Sequence, residues 1–321
     1  MKRCAFLLVL MLSVVTSRAQ YVSALQPQKY DKTLHWGGAF QHLDLLYGLG
    51  TTGISVEAST PLGEKFRLRG GVSYLPWFKQ TMTCDVYVGK DQTHFDDVQE
   101  LMQSWKGYRM LKQVKMSGML SMFNAKLLVD WFPLDDGKKF RVTAGLYWGP
   151  ERIANITPDS RYTSTLTTIA TYNAMYEQLD PGDEIYGWGY TGLYMGKYGR
   201  DWYDDIREIE HAEGDTYLML PDDDGNLNIE MKTNSFKPYL GVGYEFLFLK
   251  KGTKSRENWK FAIDAGALFW GGAPRLKVSS DNVNLVKDIN DVPGKKGDYV
   301  GKFKKLVVYP VISVSVVHHI F

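Results

Sequence analysis

The chain has 321 residues, of which 23% are charged, 44% hydrophobic and 14% aromatic, with a formal net charge of +2. If Lys2, Arg3 and Arg18 leave with an N-terminal signal, the 38 basic residues become 35 against 36 acids, and a near-neutral chain has no global basic field for nucleic acid. Beyond the first twenty residues no run of eighteen apolar residues exists, which excludes a membrane-spanning helix.

Residues 1–20, MKRCAFLLVLMLSVVTSRAQ, read as a secretory signal: a basic start at Lys2 and Arg3, a short apolar core, and small residues Ser17 and Ala19 before a cut ahead of Gln20. This assigns 1–19 to a signal peptide. Cys4 departs with it, so Cys84 alone remains and no internal disulfide can form. Residues 20–41 show little periodicity and are expected to be a periplasmic lead-in.

From 42 onward the pattern is alternation. A weak strand at 42–49 is followed by one with Ile54, Val56 and Ala58 on one face and Ser55, Glu57 and Ser59 on the other. After the turn at Thr60-Pro61-Leu62-Gly63, Phe66, Leu68, Val72 and Tyr74 face one way and Arg67, Arg69 and Ser73 the other. Residues 79–117 are polar and read as a long loop with a short helix.

The clearest stretch is 121–149, two strands joined by a turn at 133–137. Phe123, Ala125, Leu127, Val129 and Trp131 alternate with polar residues that include Lys126 and Asp130; Phe140, Val142, Ala144, Leu146 and Trp148 alternate with a set that includes Arg141 and Thr143. An apolar face about ten residues long, ending on an aromatic residue, fits a tilted strand crossing a bilayer. A soluble sheet with one wet face would show the same alternation.

Residues 150–234 form a second excursion, with a helix expected near 163–179 and a small hairpin, TYLMLPDDDGNLNIEM, around Asp224-Gly225. Strand pattern returns at 235–249 and 259–270, the latter carrying Lys260 and Asp264 on its polar face. A third polar loop covers 271–303, and KLVVYPVISVSVVHHIF closes the chain.

Loop lengths alternate, short near 60–65, 133–139 and 250–258, long at 79–117, 150–234 and 271–303. Outer-membrane barrels have short periplasmic turns and long outer loops, whereas a sandwich has no reason to alternate in this way. The expected fold is therefore all-β: an up-and-down antiparallel transmembrane β-barrel of eight strands spanning 42–321, with both termini periplasmic and membrane lipid as its first partner.

YLGVGYEF at 239–246, the AKLLVDWFP and FRVTAGLYWG strands, AIDAGALFWGGAPRL at 262–276 and VYPVISVSV at 308–316 resemble a family of small outer-membrane β-barrels. Many of its members come from Gram-negative bacteria of the Bacteroides group and have no assigned role. The resemblance covers the strands, about 120 residues, and not the long loops. Such barrels usually end with Phe on the lipid face. Here Ile312, Val314, Val316 and Ile320 are out of phase with Phe321, which implies a bulge near His318-His319 or a weakened insertion signal.

The interior of an eight-stranded barrel is just wide enough for side chains. The inward set Glu57, Arg67, Arg69, Lys126, Asp130, Arg141, Lys260 and Asp264 has mixed signs. Enclosed charges must pair, so these residues are expected to plug the lumen; the alternative is a charged conduction path through a narrow pore. Tyr186, Trp188, Tyr190, Tyr194, Tyr198, Trp202 and Tyr203 crowd into eighteen residues outside the expected membrane. They either stack on an external glycan or protein or pack together as a cap.

Catalytic and metal chemistry have little to stand on. The six histidines form no HxxxH or HExxH pair, and His318-His319 reads as an interfacial pair rather than a metal site. Asp222-Asp223-Asp224-Gly225 fails the calcium-loop spacing and reads as a hairpin tip. An outer-membrane lipid-modifying enzyme would need a Ser or acid beside a His, and no GxSxG or related motif links them. No cofactor motif is found. The expected role is structural or surface-binding, with a pore and an enzyme as the two other readings.

Overall fold

A computed structural model describes residues 42–134, 139–205, 207–247 and 259–320; the signal and the lead-in lie outside the described residues. The strands in chain order are β1 (Asp44–Gly50), β2 (Gly53–Pro61), β3 (Phe66–Val88), β4 (Gln113–Trp131), β5 (Phe140–Trp148), β6 (Arg152–Pro158), β7 (Thr191–Tyr198), β8 (Trp202–Asp204), β9 (Ile209–His211), β10 (Thr216–Met219), β11 (Ile229–Lys232), β12 (Phe236–Leu247), β13 (Trp259–Phe269), β14 (Arg275–Val278), β15 (Ile289–Asn290) and β16 (Val308–His319). Among the described residues three α-helices accompany them: α1 (Phe95–Lys106), α2 (Thr163–Tyr176) and α3 (Gly294–Lys305).

Eight strands close a ring in the order β1, β2, β3, β4, β5, β12, β13, β16 and back to β1, antiparallel at each step. Closure pairs every backbone edge, which is what a strand-built membrane crossing requires. Alternation then sorts the side chains. Leu127, Leu146, Leu240, Val242, Ile263 and Ile312 are exposed on the outside, while Arg69, Asp130, Arg141, Thr143 and Asp264 are buried inside. Exposed aromatics ring both ends of the apolar belt: Phe123, Trp148, Phe236 and Phe269 at the long-loop end, Phe66, Trp131 and Tyr244 at the short-turn end. The start of β1 and the end of β16 share the short-turn end, where Asp44 pairs with His319.

The last strand corrects one expectation. β16 pairs with β1 and with β13 through His318 and His319 with no slip in register, so no bulge lies there; Phe321 itself is outside the described residues. His318 points outward against Trp259, ring centroids 4.3 Å apart, while His319 Nδ1 lies 2.7 Å from the Asp44 carboxylate.

The segment 79–117 is less of a loop than its polarity suggests. β3 and β4 stay paired well past the barrel, as far as Asp85 opposite Gln113. The register shifts between Leu75 and Phe78, where β3 carries one residue more than β4. Pro76 sits in this bulge, a position where its missing N–H costs no ladder bond. The bulge inverts the alternation of β3: odd residues Arg67, Arg69 and Ser73 are buried before it, and Cys84, Val86 and Val88 after it.

This two-stranded stem carries a folded cap. On one side β4 continues into β6, β11 and β14; on the other β3 continues into β7, which pairs with β10 and β15. The expected hairpin at 216–231 does not form. The turn is present, with the Gly225 amide donating to the Asp222 carbonyl at 2.8 Å, but β10 pairs with β7 while β11 pairs with β6 and β14. Packing around α1 shows why the cap holds together. Asp96 and Asp97 open the helix, Gly107 closes it in the left-handed conformation (φ 68°), and Phe95, Val98 and Met102 bury one face. They join Val114, Met116, Ile169, Leu193, Ile229 and Val283 in a continuous apolar core. Among the described residues no helix is long and apolar enough to cross a membrane.

Candidate functional site

The barrel interior holds four cations and four carboxylates in mutual contact. Arg67 on β3 pairs with Glu245 on β12 and, at 2.8 Å, with Asp130 on β4. Arg141 on β5 donates to both oxygens of Asp264 on β13, at 2.7 and 2.8 Å, and to Glu245 at 2.7 Å. Arg69 reaches Asp130 at 3.1 Å, Asp264 at 3.5 Å and Glu57 at 3.6 Å. Lys126 closes the set on Glu57, its ammonium 5.6 Å from the centre of the Tyr147 ring. The Thr143 hydroxyl donates to Asp130 at 2.7 Å. Every one of the eight charged residues is buried. Gly243 makes room for this: a Cβ there would stand 2.6 Å from the Asp264 carboxylate and 2.7 Å from Arg141 Nε.

Seven of the eight lumen residues expected from alternation thus meet. Lys260 lies on the same face of β13 but is exposed at the short-turn end. The residue missed is Glu245, which binds two arginines. Its phase was legible, since Tyr244 and Phe246 alternate around it on the lipid side. Lys237 and Asn124, in contact at 3.3 Å, are a further buried polar pair nearer the long-loop end.

The seven aromatic residues of the cap separate into two groups. Tyr198 is buried, stacked on His211 at 4.6 Å and edge-on to Tyr217 at 5.2 Å. Tyr194 stacks on Tyr87 at 4.3 Å, Trp188 on His94 at 5.5 Å, and Tyr190 meets Tyr176 edge-on at 4.7 Å. Trp202 lies under the Arg200 guanidinium at 5.3 Å. These five are half-buried or buried within the cap. Tyr186 and Tyr203 are exposed at 40% and 50%; only they keep large free areas.

A closed antiparallel barrel of eight strands, charged inside, apolar outside and rimmed by aromatics at both ends, defines the chain as a transmembrane β-barrel of the outer-membrane type. No protein-family model matches the chain, and no curated protein sequence matches it. Among solved structures it is similar to CarO2 of Acinetobacter baumannii (15% identity, 87% of this chain and 98% of that one, TM-score 0.38). It is similar also to CarO of the same organism (14%, 86% and 96%, 0.38) and to a major outer membrane protein of Thermus thermophilus (13%, 87% and 98%, 0.26). These scores are below the level of a shared whole-chain fold, and the class rests on this chain's own ladder and surfaces.

Proposed function

We propose that this protein is a sealed outer-membrane barrel that carries a folded surface cap, with a structural or surface-binding role and no reaction of its own. The observation that carries the sealing is the charge-matched network of Arg67, Arg69, Lys126 and Arg141 with Glu57, Asp130, Glu245 and Asp264. An ion crossing the barrel would have to break pairs that already satisfy one another in a low-dielectric interior. In the usual build of such barrels the short turns and both termini are periplasmic, which puts the cap outside, where an external glycan or protein meets Tyr186 and Tyr203. The kinship with Bacteroides-group barrels rests on the strand segments alone.

Recordings in planar bilayers test the sealed lumen. The expected result is no steady channel at any moderate voltage; sustained open states of nanosiemens size would overturn it in favour of a pore.

A further inference from the structure

A cleft of about 150 Å³ opens in the cap among Tyr198, Asp204, Arg207, His211, Leu218 and Asp281. Its charges are unevenly matched. Arg207 and Asp204 neutralise each other: the guanidinium donates to Oδ2 at 3.0 Å and the Arg207 amide to Oδ1 at 3.2 Å. Asp281 accepts only from neutral groups, the Tyr217 hydroxyl at 2.7 Å and the Val283 amide at 3.0 Å. No ion pair among the described residues reaches it. Asp281 lines the cleft, and two donors do not fill the roughly four acceptor sites of a carboxylate.

The other titratable groups facing Asp281 do not change the balance. From the segment around β8 and β9 come Asp204, which adds negative charge, Arg207, already paired, and His211, which burial holds neutral by lowering its pKa. From β7 and β10 come Tyr198 and Tyr217, both pushed further from ionisation by burial. Burial raises Asp281 to about 6, so at neutral pH the cleft holds two carboxylate charges, Asp204 and Asp281, against the single cation Arg207, which is hydrogen-bonded to Asp204.

We propose that this cleft binds the primary ammonium group of a small aliphatic amine, with Asp281 as its counter-ion. The ammonium supplies the missing positive charge and the donors that the open lone pairs require, and the aliphatic stem lies on Leu218. An anion meets two carboxylates. A neutral polyol leaves the carboxylate charge unmatched. A divalent ion of the calcium or magnesium type needs about six oxygen ligands, and the cleft offers one carboxylate not already tied to a cation. The site deepens the surface-binding half of the proposed function and rests on it.

The test is calorimetric titration of the full chain in detergent micelles with butylammonium chloride at pH 7.5, alongside n-butanol and sodium butyrate. Saturable binding of butylammonium alone is expected, weakened at least tenfold by Asp281→Asn. Because Asp281 titrates near 6, the wild-type affinity should also fall roughly tenfold between pH 7.5 and pH 5, a readout that needs no substitution should the variant not fold. Absence of binding, equal binding of butanol, or an affinity indifferent to pH overturns the site. Such a failure leaves the bilayer recordings untouched, so the amine site and the sealed lumen stand or fall separately.

Discussion

Arg69 and Asp264 stand on β3 and β13, four strands apart in either direction round the eight-stranded ring, and their side chains meet at 3.5 Å. A contact between opposed strands means that side chains reach across the lumen at that level. Arg141 binds the same carboxylate from β5, so three strands on two sides of the ring converge on Asp264. The network therefore ties the barrel across its width.

Removing one member of such a set leaves the buried charges unbalanced. Asp264→Asn takes the two-oxygen carboxylate partner from Arg141 and one of three carboxylates from Arg69, leaving one buried positive charge in excess, and is expected to destabilise the barrel by about 3–5 kcal/mol. Urea unfolding of the micelle-bound protein, followed by tryptophan fluorescence, gives the measurement. Replacing Arg141 and Asp264 together by apolar residues of similar volume should cost less than the sum of the single changes. Additive losses would mean that the pair is not coupled.

The outside of the barrel obeys a different rule. Leu240 sits on β12 between Ala144 and Ala267, with 53% of its surface exposed. If lipid covers it, Leu240→Arg brings a charge into hydrocarbon at a cost of about 2–4 kcal/mol. In a water-facing sheet the same change would be near neutral. Folding into lipid vesicles, scored by the heat-dependent gel shift of folded barrels, separates the two outcomes.

Alternation made the barrel legible, because period two assigns each residue to lipid or lumen before any partner is known. It supplied seven members of the charge network. It does not give the height of a residue along the barrel, which is why Lys260 on the right face proved to lie at the open end. The cap was less legible for two physical reasons. The bulge at Pro76 inverts the phase of β3, so Cys84, Val86 and Val88 alternate against Arg67 and Arg69. And the cap strands choose partners far away in sequence: the Asp224-Gly225 turn reads correctly as a turn, but β10 and β11 leave it toward different sheets. Turn chemistry fixes a local reversal and not the pairing beyond it.

Cys84 reports directly on the cap core. Its thiol is fully buried between the sulfurs of Met116 and Met195, at 3.8 and 3.9 Å, and burial pushes its pKa up to about 11. At pH 7.5 the reactive thiolate is scarce and covered. A maleimide should label the native protein far more slowly than the urea-unfolded one. Rapid labelling of the native protein would show that the stem of β3 and β4 is open at this level.

The cap should also carry a pH signature with two opposing parts. Asp281 is raised by burial to about 6, above the ordinary carboxylate value near 4. Between those values the folded state holds more protons than the unfolded one, so its contribution to stability falls as pH rises from about 4 to about 6. His211 runs the other way: burial lowers its pKa, so the unfolded state binds more protons below about 6.5, and stability is lost as pH falls through the folded value. Asp281→Asn removes the first part and leaves the second. The wild-type stability minus that of Asp281→Asn, measured by thermal unfolding of the cap, should therefore decline from pH 4 to pH 6 and flatten above. The variant alone should gain stability with rising pH across the histidine range. A difference curve without slope between pH 4 and pH 6 would mean that the Asp281 carboxyl keeps its ordinary pKa and carries no burial penalty in the folded protein.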